Sequence, residues 1–405
     1  MNYELVGGAL SGLFGLAWMI QMYYYTMQMS KVGFIKSQYN VNNNTPPVSV
    51  IICARNEFKN LRTFLLSVVE QDYPNYQVVV VNDCSWDESS KYLEEMEDAY
   101  PNLKVVSIQE QEKYPHGKKL ALTLGIKAAE HEWLLLTDAD CKPASKDWIR
   151  SLATNFSGDN EIVLGYGAYL KEKGLLNKWI RFDTVYNALF YLSRALKGKA
   201  YMGVGRNLAY RKSLYFRNKG FANHYHILSG DDDLFVNETA TKNNVAVELN
   251  PVSFTYSKPL TSFGDWLAQK KRHTSTGQYY KSGDKLLLGT YFFTLSLFYC
   301  SLIILFVLKL YPEIVVSMFI IRLITQMIII HKGTQKLGKA VSNGDGVPLD
   351  ENGQGVENEE EHSKGGQEDQ HANEHPPKHW VSSELTGFGS GSRGCSSSRR
   401  SGSRG

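Results

Sequence analysis

Leu134-Leu135-Leu136-Thr137-Asp138-Ala139-Asp140 decides the fold, because an uninterrupted apolar run ends abruptly in two carboxylates. A short apolar run bounded by turn residues reads as a strand buried on both faces, the kind that parallel sheets contain. Carboxylates at the C-terminal end of such a strand sit where open α/β sheets bind ligands. Asp138 and Asp140, with one small residue between them, have the spacing to hold a hard divalent cation through oxygen ligands. Aspartate is equally at home in a solvated strand-to-loop turn, and this stretch alone does not choose between the two.

Outward from this stretch the pattern is regular. Residues 48–53, 78–81 and 103–108 are apolar, mostly β-branched runs, and residues 58–70, 89–100 and 118–130 have helical spacing. Strands alternating with helices of this length predict an α/β domain with a largely parallel sheet and right-handed crossovers, a nucleotide-binding architecture. The first strand is followed by Ala54-Arg55-Asn56-Glu57-Phe58, with no glycine, which excludes a dinucleotide fingerprint, and the Walker A pattern is absent. Polar groups instead gather at successive strand ends: Arg55 and Glu57, then Asn82, Asp83 and Ser85, then Lys118 and Lys119 where the third helix begins, then Asp138 and Asp140. Taken singly, Asp83 reads as a turn former and Lys118 as a solvated lysine. Parallel strands would bring all of them to one edge of the sheet.

Composition excludes other classes. A formal charge of +3 over 405 residues, without a basic stripe, argues against nucleic acid. Cys53, Cys84, Cys141, Cys300 and Cys395 form no CxxC pair, so neither a zinc site nor a disulfide framework is indicated, and a reducing compartment fits.

Val-Ile-Ile-Cys-Ala-Arg-Asn-Glu, Val-Asn-Asp-Cys-Ser, Gly-Lys-Lys-Leu-Ala-Leu and Thr-Asp-Ala-Asp, in that order, resemble the signature of family 2 inverting glycosyltransferases of GT-A fold, of the membrane-anchored bacterial type similar to cellulose and poly-N-acetylglucosamine synthases. The resemblance covers about residues 48–272. It implies a nucleotide-sugar site with Arg55 and Glu57 near the nucleoside, Asp83 reading the base, Lys118 and Asp138 near base and ribose, and Asp140 on a Mg²⁺ or Mn²⁺ ion that bridges the diphosphate.

Further along, residues 162–169 read as one strand, and residues 175–196 as a helix rich in large aromatics, either interfacial or part of the core. Gly203 to Lys212 resembles the family's glycine-containing acceptor-side loop, followed by a strand. In Ser229-Gly230-Asp231-Asp232-Asp233-Leu234-Phe235 three carboxylates adjoin; like charges in a cleft raise a carboxylate's pKa, as a general base requires, and acids also suit a helix N-terminus. Compared with the family's Glu-Asp-x-Asp-Leu pattern, Gly230 replaces the glutamate and Asp231 falls on the catalytic aspartate. Asp233 falls on the second acid, and Asp232 lies between them. Trp266 to His273 resembles the QxxRW motif, with Gln269 and Arg272 in place and His273 where tryptophan is usual, which points away from a long-chain polymerase. Arg272 offers planar donors matched to a departing diphosphate.

Three apolar runs complete the picture. Residues 5–29 read as an uncleaved anchor, with tyrosines 23–25 at a membrane interface, and residues 286–310 and 313–330 as a helical hairpin turning at Tyr311-Pro312. Arg322, expensive in lipid, should face protein or pair with an acidic headgroup or carrier phosphate. Flanking lysines place the outer ends of the hairpin and the central domain in the cytoplasm. The expected organisation is an anchor over 1–30, a linker over 31–47, a transferase domain over 48–280, a transmembrane hairpin over 286–331 and a disordered polar tail over 340–405. The expected function is transfer of a sugar from a UDP-sugar to a lipid-linked or cell-envelope glycan acceptor at the membrane. Two other readings are a polyprenyl-phosphate monoglycosyltransferase and a silent partner that binds nucleotide sugar or glycan. The sequence identifies no partner subunit.

Overall fold

A computed structural model describes residues 3–35, 45–109, 117–227 and 229–338. The expected tail over 340–405 and most of the expected linker lie outside these residues.

Near the N-terminus, α1 (Tyr3–Tyr23) continues through a π-helical turn (Tyr24–Met29) into the short α2 (Lys31–Phe34). The α/β core follows, with β1 (Val48–Ala54), β2 (Tyr76–Asp83), β3 (Leu103–Ile108) and β4 (Trp133–Asp138) all parallel. Their crossovers carry α3 (Phe58–Val69), α4 (Ser89–Ala99) and α5 (Lys118–Ala128). Side chains of β1, β2 and β4 are buried almost throughout, which is why these strands read as continuous apolar runs. Pairing of Ala54 with Asn82 and of Cys53 with Asp138 brings the C-terminal ends of β1, β2 and β4 level. Gly125 lets α5 lie close on the sheet, since a Cβ there would stand 2.8 Å from Ile51 Cγ2 and 2.9 Å from Val81 Cγ2.

After β5 (Cys141–Pro143) and α6 (Trp148–Ala153), the expected strand over 162–169 is two strands, β6 (Ile162–Leu164) and β7 (Gly167–Tyr169). They belong to different sheets. The chain breaks at Gly165, where a Cβ would lie 2.5 Å from Asn207 Cγ, and Asn207 fills the break by donating to the carbonyls of Tyr166 and Ser253. β8 (Leu208–Arg211) runs antiparallel to β4 and β6, and with β9 (Val245–Val247) completes a seven-stranded mixed sheet ordered β3-β2-β1-β4-β8-β6-β9. β10 (Thr255–Ser257) sits between β5 and β7 in a small second sheet against the site.

The helical parts are α7 (Leu175–Ala195), α8 (Lys212–Arg217), α9 (Asp233–Thr239), α10 (Phe263–Thr274), α11 (Ser282–Val307) and α12 (Pro312–Gly338). On α7 residues 188–195 are buried in the core, whereas Leu175, Trp179 and Phe182 near its start are exposed. Among the described residues three helical stretches, Val6–Met29, α11 and α12, are long and apolar enough to cross a membrane. Phe14 stacks on Phe298, and Gln21 donates to Thr294. Arg322 faces protein, bonded to Gln21, Tyr25, Tyr299 and Gln326 and flanked by the rings of Tyr25, Phe298 and Tyr299. The expected interfacial tyrosine cluster is corrected: only Tyr23 is exposed, while Tyr24 donates to the Leu287 carbonyl and Tyr25 is fully buried against α7, α11 and Arg322.

Candidate active site

The level strand ends put the polar loops side by side. After β1, Asn56 takes a left-handed conformation (φ 56°), accepts from the Trp86 amide and donates its own amide to Ser85 Oγ. Asp87, from the loop after β2, accepts from the Phe58 amide and so satisfies a free donor at the start of α3. Arg55 lies over the exposed Trp86 ring, 5.7 Å from its centroid, Glu57 accepts from Asn60, and Asp83 is buried at the end of β2. Burial raises the Glu57 carboxyl above its usual range.

Next to this corner a cleft of about 720 Å³ is lined by Lys118, Asp138, Asp140, Asp231, Asp232, Asp233, Gln269, Arg272 and His273 together. Arg55, Glu57 and Asp83 do not line it. Lys118, the first residue of α5, holds the cleft's two sides together: its Nζ is 2.8 Å from Asp138 Oδ1 and 3.3 Å from Asp231 Oδ2. Burial opposes the ammonium, but Asp138, Asp231 and Asp232 outweigh it and hold Lys118 well above its usual value. Burial likewise opposes the charged form of Asp138, and Lys118 reverses the sign, so this carboxyl is held low.

Asp140 differs. Burial and the neighbouring Asp138 push its carboxyl up to about 6, with only partial relief from Arg206. Donor atoms of Asp138, Asp140 and Cys141 lie within 4.8 Å of one another. Burial keeps the Cys141 thiol protonated, and it bonds Ser257 Oγ at 3.0 Å, so the oxygens of the two aspartates are the donors suited to a hard cation. With Asp138 already paired to Lys118, the half-buried Asp140, whose charge has only partial compensation, is the carboxylate that could hold a metal ion.

Sequence reasoning missed Arg206. It sits in the glycine-containing loop before β8, its backbone carbonyl held by Thr137 and Thr255 and its Nη1 3.2 Å from both the Ala168 carbonyl and Ser257 Oγ. Its guanidinium lies 4.3 Å from the Tyr169 ring centroid, and the charges of Asp138 and Asp140 favour it. The available signal was a cation directly after two closely spaced glycines, Gly203 and Gly205, ahead of a strand. Gly205 brings this loop against the acids, donating its amide to Asp232 Oδ2 at 2.7 Å.

The three adjacent aspartates have different surroundings. Asp231 faces Lys118. Asp232 accepts from the amides of Gly205 and Asp233, and burial with its two acidic neighbours raises it to about 7. Asp233 accepts from Thr276 and from Tyr280 at 2.7 Å, which ties α9 to the turn after α10. Gly230 has a structural cause: its φ is +92°, and a Cβ would lie 2.5 Å from Leu234 Cδ1. Across the cleft, α10 presents Gln269, Arg272 and His273. Desolvation on the cleft side and the cations Arg272, Lys270, Arg206 and Lys118 push the His273 imidazole down to about 4, so the ring is neutral at pH 7.

A mixed, mainly parallel sheet with an Asp-x-Asp pair at the end of its fourth strand defines the GT-A class of fold. Residues 49–216 match the model of glycosyl transferase family 2, so this segment carries a domain of that family. A Haemophilus influenzae protein described as an uncharacterized glycosyltransferase is 30% identical over 32% of this chain and 38% of its own length. The probable glycosyltransferase YdaM of Bacillus subtilis is 23% identical over 65% of this chain and 64% of its own length. A poly-beta-1,6-N-acetyl-D-glucosamine synthase of Staphylococcus epidermidis is 25% identical over 30% of this chain and 29% of its own length. The chain thus matches less than two thirds of the length of these relatives. Among solved structures, mannosyltransferase PcManGT from Pyrobaculum calidifontis, in complex with GDP-Man and Mn²⁺, is similar with a TM-score of 0.50 and 17% identity, covering 83% of this chain and 99% of that one, a likeness of fold.

Proposed function

We propose that this protein is a membrane-bound inverting glycosyltransferase that uses a UDP-sugar and delivers the sugar to a lipid-linked or cell-envelope glycan. The observation that carries the reading is Lys118, which joins Asp138 on the donor side to Asp231 on the acceptor side within one cleft. Asp231 takes the proton of the acceptor hydroxyl as that oxygen attacks the anomeric carbon from the face opposite the diphosphate. The bond from the anomeric carbon to the diphosphate breaks, and its electrons leave with the phosphate. Arg272, in the cleft wall, meets the departing charge with paired donors, and neutral His273 adds hydrogen bonding without charge.

Arg55, Glu57 and Asp83 serve the nucleoside end, and Lys118 and Asp138 the base and ribose. Asp140 holds Mg²⁺ or Mn²⁺, which, when bound, supplies positive charge to the diphosphate. Asp232 and Asp233 shape the acceptor side, Asp233 through Thr276 and Tyr280. Residues 1–30 and 286–331 anchor the 48–280 domain to the membrane, with that domain in the cytoplasm. The intact carboxylates speak against a silent sugar-binding partner. The test is to incubate membranes carrying the protein with a panel of labelled UDP-sugars and follow label into lipid or polymer; no transfer from any donor overturns the reading.

A further inference from the structure

The cleft that contains Asp231 continues beyond the transferase domain onto α11, through Lys285, Leu288 and Phe292. Spacings of three and four put these residues on one face of the helix. Phe292 lies ten residues past Ser282, the first residue of α11, about 15 Å along the axis. A 26-residue helix is about 39 Å long against a hydrocarbon layer of about 30 Å, so with α11 spanning the bilayer Phe292 sits roughly 10 Å inside the apolar region. Its ring is 61% exposed while forming cleft wall. A wall at that depth opens sideways into lipid.

Charge follows the same order along the helix. Lys285, at the domain end, is exposed; its Nζ reaches only the Gln278 carbonyl, at 3.4 Å, and among the described residues no carboxylate pairs with it. The nearby acids are already engaged, Asp284 by Arg194 and Asn237, and Asp183 by Lys270. A cation left over at the headgroup level, above an apolar face, matches an anionic lipid.

We propose that the acceptor enters through this lateral opening and is a lipid bearing a hydroxyl on an anionic phosphodiester headgroup, with its phosphate at Lys285 and its chain along Leu288 and Phe292. The hydroxyl rests on the glycosyl-transfer reading above, since Asp231 takes its proton while the new bond to the anomeric carbon forms and the diphosphate leaves. The phosphate and the chain rest on α11 alone. A neutral lipid would leave Lys285 without a counter-charge.

The test is native mass spectrometry of the full chain released from detergent micelles containing phosphatidylglycerol, dioleoylglycerol or phosphatidylcholine. Phosphatidylglycerol is retained about tenfold more than the other two, the worth of one charge-assisted contact. Lys285→Gln removes that preference, Lys285→Arg restores it, and Lys281→Gln, outside the cleft wall, leaves it intact. Phe292→Asp lowers retention of phosphatidylglycerol. Equal retention by wild type and Lys285→Gln, or dioleoylglycerol held as well as phosphatidylglycerol, overturns the site. Retention that follows Lys285 without sugar transfer from any donor supports the site and removes only the glycosyl-transfer reading. Sugar transfer to phosphatidylglycerol at the wild-type rate by Lys285→Gln and Phe292→Asp does the reverse.

Discussion

Replacing Lys118 by methionine keeps the side chain's length and removes its charge from between Asp138 and Asp231, 2.8 and 3.3 Å away. An exposed ion pair contributes at most about 1 kcal/mol, whereas breaking a buried one costs about 3–5 kcal/mol. Lys118 is 42% exposed and its partners 32% and 9%, so the cost falls between these limits, and about 2 kcal/mol at pH 7 is the expected destabilisation. For a domain of this size that lowers Tm by roughly 4–8 °C. The pH dependence has a definite sign. Lys118 depresses the folded-state pKa of Asp138 below its ordinary 3.8, so the stabilisation is present above that value and is lost as pH falls through the lower folded-state value. Thermal melts of the purified protein should therefore show the full deficit of Lys118→Met at pH 7 and a shrinking one as pH falls below 3.8. Mn²⁺ should stabilise the variant more than the wild type, because it returns positive charge to the same carboxylates. A deficit that is absent at pH 7, or that grows on acidification, refutes the reasoning.

Asp140→Ala is expected to remove the Mn²⁺-dependent part of UDP binding in calorimetric titrations while metal-free binding persists. Arg206→Lys keeps the charge but loses the planar contacts to the Ala168 carbonyl, Ser257 and Tyr169, and should lower kcat/KM about tenfold with little change in Tm. Gly125→Ala should destabilise by about 1–3 kcal/mol by forcing α5 off Ile51 and Val81, measured as a lower Tm with the nucleotide affinity of the remaining folded protein unchanged.

The parallel half of the sheet was legible because each strand is an apolar run of at least four residues flanked by helical spacing, and the strand-end acids and bases could be placed from that alone. The small sheet of β5, β10 and β7 was not legible: its strands have three residues each, too few to show a period, and β7 is severed from β6 only because Asn207, distant in sequence, fills the break at Gly165. In the site, the aspartates and the helix carrying Gln269, Arg272 and His273 could be read from motifs. The link from Asp233 to Thr276 and Tyr280 joins residues more than forty positions apart, and no local pattern announces it. Arg206 was hidden for the same reason, since what makes it part of the site is Tyr169 on one side and Asp138 and Asp140 on the other. Tyr24 and Tyr25 read as interfacial because composition says nothing of which hydroxyls and rings await them on α7 and α11.

The most direct measurement is sugar transfer by Asp231→Asn alongside the wild type, with donor binding titrated on the same preparations. Loss of a general base costs about 10²–10⁴ in rate. Transfer should fall by that factor with the donor dissociation constant within about twofold of wild type; transfer at the wild-type rate would contradict the assignment of Asp231 as the base.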